Sequence, residues 1–117
     1  MRISESEMEI MKVIWSENAA VTTADILKKL NADWKHTTIL TFLKRLTDKG
    51  AIRTERVGKT NYYSALISEN DYKNSKTKEF MTELHSGSIK NFLSALYGDK
   101  KPTAQEIKEI KEWFEEV

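Results

Sequence analysis

The segment from residue 34 to residue 50 constrains the fold most, because its apolar residues recur at the spacing of one helical face. They stand at positions i, i+3, i+4 and i+7, which gathers them into a single stripe on an α-helix. The stripe consists of Ile39, Phe42, Leu43 and Leu46. It predicts a buried inner face, and Gly50 is a typical residue at the end of such a helix.

The opposite face of this predicted helix has a different composition. At about 100° per residue, Thr37, Thr41 and Lys44 lie opposite the stripe, and Thr38, Leu40 and Arg45 lie on its flanks. No acidic residue precedes Asp48 in the segment. Small hydroxyls can approach base edges and cations can meet phosphates, as a helix in the major groove of DNA requires. We therefore expect a recognition helix.

The charge distribution also favours contact with nucleic acid in one half of the chain. Nineteen Lys and Arg against eighteen Asp and Glu give a formal net charge of +1, which alone argues against a general nucleic-acid binder. Residues 1–67, however, hold eleven basic and eight acidic residues, whereas residues 68–117 hold eight and ten. Within residues 28–59 the counts are nine and three. This asymmetry predicts a backbone-binding half joined to a neutral or acidic half.

Shorter elements precede the predicted recognition helix. An S-x-x-E capping box at Ser4 predicts a first helix that ends near Trp15. Thr22 or Thr23 caps a second helix of about two turns. Val21 is expected to form a short strand or to fill the core.

A hairpin is predicted after the recognition helix. Residues 52–57 and 61–66 are typical of two strands, with Gly58 and Lys59 in a tight turn between them. A helix-turn-helix followed by a hairpin is a winged helix. The cations of this wing are expected to reach phosphates, although solvated strand residues are an equal alternative for any one of them. The candidate DNA-binding residues are Lys35, His36, Thr37, Thr38, Leu40, Thr41, Lys44, Arg45, Arg56 and Lys59.

Residues 68–117 are predicted to form three amphipathic helices, so that the chain is mainly α. They would follow a winged-helix DNA-binding domain of residues 1–67, and the last helix begins at a capping box of Thr103 and Glu106. Three helices of this size make too small a core to be stable alone, so we expect a homodimer whose partner covers the stripes. The candidate dimerisation residues are Tyr72, Phe80, Leu84, Ile89, Phe92, Leu93, Leu96, Ile107, Ile110, Trp113 and Phe114.

The remaining composition favours neither an enzyme nor a metalloprotein. A chain without cysteine has no disulfide framework and no thiolate metal site, and His36 and His85 are too few for a zinc site. No glycine-rich phosphate loop or nucleophile motif is present, so we expect no catalytic residue and no cofactor. No stretch has the length or apolar character of a membrane span or a signal peptide, which predicts a cytoplasmic protein.

The sequence resembles the BlaI/MecI/CopY penicillinase-repressor family of bacterial winged-helix regulators along nearly its whole length. The opening, from Ile3 to Trp15, is similar to the family pattern I-S-x-x-E-x-x-[VI]-M-x-x-[IV]-W. The pattern W-x-x-x-T-[IV]-x-T-x-[LI]-x-R-L-x-x-K-G is matched at Trp34, Thr38, Ile39, Leu43, Arg45, Leu46, Lys49 and Gly50. Residues 58–59 and 63–66 follow the wing of the family and the strand after it.

The resemblance implies repression of antibiotic-resistance genes, with a β-lactam resistance operon as the expectation. A dimer held by the C-terminal helices would bind operator DNA with dyad symmetry. Positions 36, 37 and 40 carry His, Thr and Leu, where the family often has Pro, Lys and a basic residue, so the operator sequence does not transfer. Leu40 is expected to contact thymine methyl groups, and the neighbouring threonines to contact bases or phosphates.

The resemblance also implies a mode of induction. In β-lactam-responsive members a membrane sensor protease triggers cleavage of the dimerisation region, at an Asn-Phe bond in the penultimate helix. Asn91 and Phe92 form such a bond here, whereas alignment on Gly87 and Ile107 places the cleaved bond nearer residues 95–96. Copper-responsive members sense the metal through C-terminal cysteines, which this chain lacks.

Two other classes of function remain open on the sequence. The C-terminal helices are also compatible with a module that docks another protein, in which the winged helix does not bind specific DNA. A small hydrolase would require a catalytic constellation, and the sequence contains none.

Overall fold

The computed structural model describes residues 1–117 as six helices and one two-stranded sheet. In chain order the elements are α1 (Glu5–Ser16), α2 (Thr23–Lys29), α3 (His36–Asp48), β1 (Ile52–Val57), β2 (Thr60–Ala65), α4 (Glu69–His85), α5 (Ile89–Tyr97) and α6 (Ala104–Glu116). The chain divides into two compact units, Met1–Lys73 and Asn74–Val117, and α4 contributes residues to both. The division expected from the sequence, between residues 67 and 68, precedes α4, and the roles assigned to the two domains stay a prediction.

Reciprocal capping explains where the first two helices begin. The hydroxyl of Ser4 accepts a hydrogen bond from the Glu7 backbone N–H (3.1 Å), and the Glu7 carboxylate accepts one from the Ser4 N–H (2.9 Å). Thr22 and Asp25 form the same arrangement at the start of α2. Each box satisfies backbone N–H groups that the first turn of a helix leaves without an intrahelical partner.

One apolar core joins the first three helices to the sheet. Its buried side chains are Ile10, Met11, Val13, Ile14, Val21, Ile26, Ile39, Leu43, Leu46, Ala51, Ile52 and Tyr63. Trp15 and Trp34 are partly buried against this core, and the Trp15 indole N–H donates to the Ile67 carbonyl at 3.0 Å. Burying an aliphatic side chain of this kind contributes about 1.5–3 kcal/mol, so the inner stripe of α3 fixes that helix firmly in the first unit.

The sheet is an antiparallel hairpin whose register follows from a two-residue turn. Val57 pairs with Thr60, so β2 begins one residue earlier than the sequence predicts. Gly58, the first turn residue, has a φ of +64°, which glycine adopts without strain at this position of a type II′ turn. Val21 forms an isolated bridge with Tyr63 and is also buried. It therefore both extends the sheet and fills the core, the two roles that the sequence left open.

The second unit consists of the end of α4 together with α5 and α6. The Ser88 hydroxyl caps α5, and the predicted capping box of Thr103 and Glu106 starts α6. Between residues 74 and 117 no apolar side chain is buried, and His85 is the one buried residue. The apolar stripes of this unit therefore face solvent in the single chain.

No helix of the protein combines the length and the apolar character that crossing a bilayer would demand.

Candidate nucleic-acid interface

Helix α3 has the two unlike faces that the sequence predicts. Ile39, Leu43 and Leu46 are at most 1% exposed, and Phe42 is partly buried. Away from this stripe, the N-cap and the helix carry Lys35, His36, Thr37, Leu40, Thr41, Lys44 and Arg45, all exposed, and Thr38, which is partly buried. We call these eight residues the outer face of α3. The structure thus brings most of the candidate DNA-binding residues to one side of one helix, and their role stays a prediction.

The start of α3 is open to an anionic partner. Lys35 occupies the N-cap position, and its side chain makes no capping hydrogen bond. Its backbone carbonyl accepts hydrogen bonds from Thr38 (3.0 Å) and Ile39 (3.2 Å). The first-turn N–H groups of exposed His36 and Thr37 point along the helix axis, where the macrodipole favours a negative charge. A cation beside a helix N-terminus suits a phosphate of the DNA backbone.

Internal hydrogen bonds occupy two of the hydroxyl protons of α3. The Thr41 hydroxyl donates to the Thr37 carbonyl at 3.0 Å. The Thr47 hydroxyl donates to the Leu43 carbonyl at 2.8 Å and also lies 2.8 Å from the Thr54 hydroxyl of β1. The Thr41 oxygen is therefore left with acceptor capacity only, and Thr47 connects α3 to the hairpin.

Two aromatic rings and a guanidinium lie in contact along one flank of α3. The centroids of the Trp34 and Phe42 rings are 5.4 Å apart, and the guanidinium carbon of Arg45 lies 5.6 Å from the Phe42 centroid. A cation at this distance from a ring face is attracted to it, which restricts the orientation of the guanidinium. Arg45 is nevertheless exposed, so its N–H groups remain accessible to a phosphate.

An ion pair between a buried carboxylate and a partly exposed ammonium ties the end of α3 to the start of α1. The Lys49 ammonium donates to the Glu7 carboxylate at 2.5 Å and to the Arg2 carbonyl at 2.8 Å. Glu7 is 2% exposed, and its Oε2 is buried without a hydrogen-bond partner in the protein. Burial raises the pKa of the Glu7 carboxyl, but the hydrogen bonds with Lys49 and Ser4 outweigh burial and hold the pKa below its usual 4.5.

Sequence reasoning missed this ion pair. The sequence identified Glu7 as part of a capping box and of the family pattern, and Lys49 only as part of the family pattern. Their side chains meet across a separation of 42 residues. No helical or strand periodicity extends over such a distance, so only the packing of α1 against α3 reveals the contact.

The wing presents the other two candidate DNA-binding residues. Arg56 and Lys59 are both exposed, and Arg56 Nε donates to the Gly58 carbonyl at 3.2 Å. This bond holds the Arg56 side chain against the turn. Arg53, also exposed, lies 3.9 Å from Glu55, so its charge is partly balanced within the same strand.

The second unit contains an apolar groove of about 560 Å³. Seven predicted dimerisation residues line it, namely Phe80, Ile89, Phe92, Leu93, Ile110, Trp113 and Phe114. Leu84, Leu96 and Ile107 are exposed elsewhere on the same unit. Tyr72 belongs to the first unit, where it is buried with its ring centroid 5.8 Å from that of Trp15. The use of these residues in a dimer stays a prediction.

The candidate cleavage bond lies in the first turn of α5. The Asn91 backbone N–H donates to the Ser88 hydroxyl at 3.1 Å, and Asn91 is exposed while Phe92 is partly buried. The Phe92 ring packs edge-on against His85, which itself packs against Phe80. No group of three or more His, Cys, Asp or Glu residues is arranged to hold a metal ion.

Comparison with known proteins identifies relatives along the whole chain. Residues 3–116 match the family described as Penicillinase repressor. The Penicillinase repressor of Bacillus licheniformis is 31% identical over 117 residues, which cover 98% of this chain and 91% of the relative. The methicillin resistance regulatory protein MecI of Staphylococcus aureus strain N315 is 32% identical over 111 residues, with 93% and 89% covered.

Solved structures resemble about three fifths of the chain. The solution structure of the DNA-binding domain of the repressor BlaI has a TM-score of 0.55 and 38% identity over 61% of this chain and 88% of that one. The Bacillus licheniformis BlaI monomer in complex with the blaP half-operator has a TM-score of 0.52 and 38% identity, with 62% and 89% covered. The expected winged-helix DNA-binding fold is thereby confirmed.

Proposed function

The chain belongs to the penicillinase repressor family, and we propose that it is a dimeric, sequence-specific repressor of an antibiotic-resistance operon, with β-lactam resistance as the first expectation. The observation that carries this proposal is the outer face of α3, which is exposed and has no acidic residue. A relative with the same fold is known in complex with a half-operator. As a repressor acts where the chromosome is, we place the protein in the bacterial cytoplasm.

In the proposed complex, α3 lies in the major groove of double-stranded operator DNA. Lys35 and the start of α3 meet one phosphate, Lys44 and Arg45 meet others, and Arg56 and Lys59 of the wing reach the adjacent backbone. These contacts set the position of the protein on DNA, whereas the side chains of α3 that approach base edges provide specificity. No step of this mechanism requires a cofactor or a catalytic group.

The apolar groove of the second unit supports dimerisation. An exposed apolar groove of this size typically marks an interaction site, because a partner that covers it removes its aromatic rings from water and the complex is stabilised by that burial. A second copy that covers it would place two recognition helices on one operator. For a two-fold dimer the half-sites are then separated by about one helical turn of DNA or a multiple of it.

We propose that induction acts by inactivating the dimerisation region, through a pathway that begins at a membrane sensor protease. A cut between Asn91 and Phe92 would separate the groove residues Phe80, Met81 and Ile89 from the groove residues that follow the cut in α5 and α6. The two recognition helices would then bind DNA independently. Because linking two binding modules raises the effective concentration of the second, losing the link weakens binding by about 10²-fold or more.

The experiment that tests the proposal is sedimentation of the purified chain, alone and with a pool of genomic DNA fragments from its own source. We expect a dimer that selects a fragment with dyad symmetry and releases it as the salt concentration rises. A monomer that selects no fragment would contradict the repressor function and favour a module that docks another protein.

A further inference from the structure

We propose that α3 recognises A·T pairs through thymine methyl groups, with Leu40 as the specificity-determining contact and Thr41 as an acceptor beside it. This inference rests on the proposed function, because it requires that the outer face of α3 enters the major groove. It names the chemistry that the operator half-site must present at that face.

The first observation is the exposure of Leu40. Leu40 is 39% exposed, and it is the one large apolar side chain exposed on α3. Its neighbours on the outer face are hydroxyls, an imidazole and cations. In the major groove the C5-methyl group of thymine is the apolar feature of the base edges, and an aliphatic side chain complements it.

The second observation is the direction of the Thr41 hydroxyl. Its proton is donated to the Thr37 carbonyl at 3.0 Å, so the oxygen has lone pairs, and no proton, to offer a base. Adenine N6 and cytosine N4 are both amino donors in the major groove, so the Thr41 acceptor suits either base, and the thymine methyl group is what distinguishes an A·T pair. An A·T pair supplies both a donor for Thr41 and a methyl group for the adjacent Leu40.

The third observation is the position of the Arg45 guanidinium, which lies on the flank of α3. The guanidinium of Arg45 packs over the Phe42 ring, and the Phe42 ring in turn contacts the Trp34 ring. Arg is the residue that most often binds guanine O6 and N7 in a bidentate manner. Held over Phe42, Arg45 suits a backbone phosphate, which leaves Leu40 and Thr41 among the residues of the outer face that can approach base edges.

The test uses the full-length protein and the duplex that it selects from genomic fragments. Each thymine of the half-site is replaced in turn by deoxyuridine, which removes only the C5-methyl group, and the dissociation constant is measured by fluorescence anisotropy. We expect a loss of about three- to fivefold at one or two positions, as one methyl group leaves an apolar contact.

The variant Leu40→Ala assigns the contact. It should bind the thymine and the deoxyuridine duplexes equally at the sensitive positions. The matched control is Leu66→Ala, which removes an exposed leucine outside α3 and should keep the full sensitivity of the natural protein.

The outcomes separate this inference from the proposed function. Specific operator binding that no deoxyuridine substitution weakens would overturn the methyl-based recognition and leave the repressor function intact. An unchanged sensitivity in Leu40→Ala would overturn the assignment to Leu40. Failure to select any DNA fragment would overturn both the inference and the proposed function.

Discussion

Glu7 illustrates how one side chain can serve two structural purposes. Its carboxylate caps the Ser4 N–H and accepts a hydrogen bond from the Lys49 ammonium, so it joins the first turn of α1 to the end of α3. Lys49 is only partly exposed, whereas Glu7 is buried. The pair therefore differs from the surface ion pairs of this protein, which contribute little because both partners are solvated.

We predict that Glu7→Gln lowers the free energy of unfolding by about 1.5–3 kcal/mol, because a hydrogen bond to a buried charge is lost. Urea unfolding followed by circular dichroism measures this change. The control is Glu9→Gln, which breaks an exposed pair with Lys12 on the same helix and should change stability by less than about 0.5 kcal/mol. Equal losses in the two variants would contradict a special role for Glu7.

The lowered pKa of Glu7 predicts how this contribution depends on pH. A carboxyl whose pKa is lower in the folded than in the unfolded state stabilises the fold above its unfolded pKa, near 4.5. The contribution is lost as the pH falls through the lower, folded value. The stability difference between the natural chain and Glu7→Gln should therefore be largest at neutral pH and shrink below pH 4.5. A stability difference between the two chains that grows on acidification would contradict the predicted pH dependence.

At the scale of elements, the proposed role of α3 predicts how DNA binding depends on salt concentration. Lys44→Ala and Arg45→Ala should each weaken binding to all DNA sequences and reduce the slope of log K against log salt by about one unit, since each would remove one proposed phosphate contact. Anisotropy titrations over a range of salt concentrations give the slope. Lys12→Ala removes an exposed cation of α1 and is the control. An unchanged slope in the α3 variants would argue against contact with phosphates.

The elements themselves were largely predictable because their signals are local. The observed starts of α1, α2 and α6 coincide with residues that the sequence identified as caps, and the stripe of α3 is buried where its spacing predicts. The contacts within the site were not predictable in the same way. The Arg45 guanidinium over Phe42 and the hydroxyl bond of Thr41 depend on rotamers, which residue spacing does not encode.

Tyr72 differs in its surroundings from the other candidate dimerisation residues, and its role in a dimer stays a prediction. The sequence grouped it with the apolar residues of α4 and α5 that would form a dimer. In the structure it is buried in the first unit beside Trp15, although it lies on the same helix as Phe80 of the second unit. A helix that contributes to two units presents one continuous pattern, so the sequence gives no sign of where one packing environment ends.

For the whole molecule, we predict that Trp113→Ala makes the chain monomeric where the natural chain forms the proposed dimer. Trp113 lines the groove and is 57% exposed in the single chain, and large aromatic anchors dominate the energy of most interfaces. Sedimentation measures the oligomeric state. Val117→Ala alters an exposed residue of the same end of the chain outside the groove lining and should leave the dimer intact. A Trp113→Ala variant that sediments as a dimer would refute the assignment.

The apolar groove has a further consequence for the lifetime of the protein in the cell. A protomer without a partner displays the aromatic and aliphatic surface that chaperones and proteases engage, whereas a dimer would conceal it. Newly made chains would thus be removed while scarce and persist once abundant. We expect the amount of repressor to rise more steeply than the rate of its synthesis. Its steady-state concentration would then show a threshold, which the strength of self-association sets.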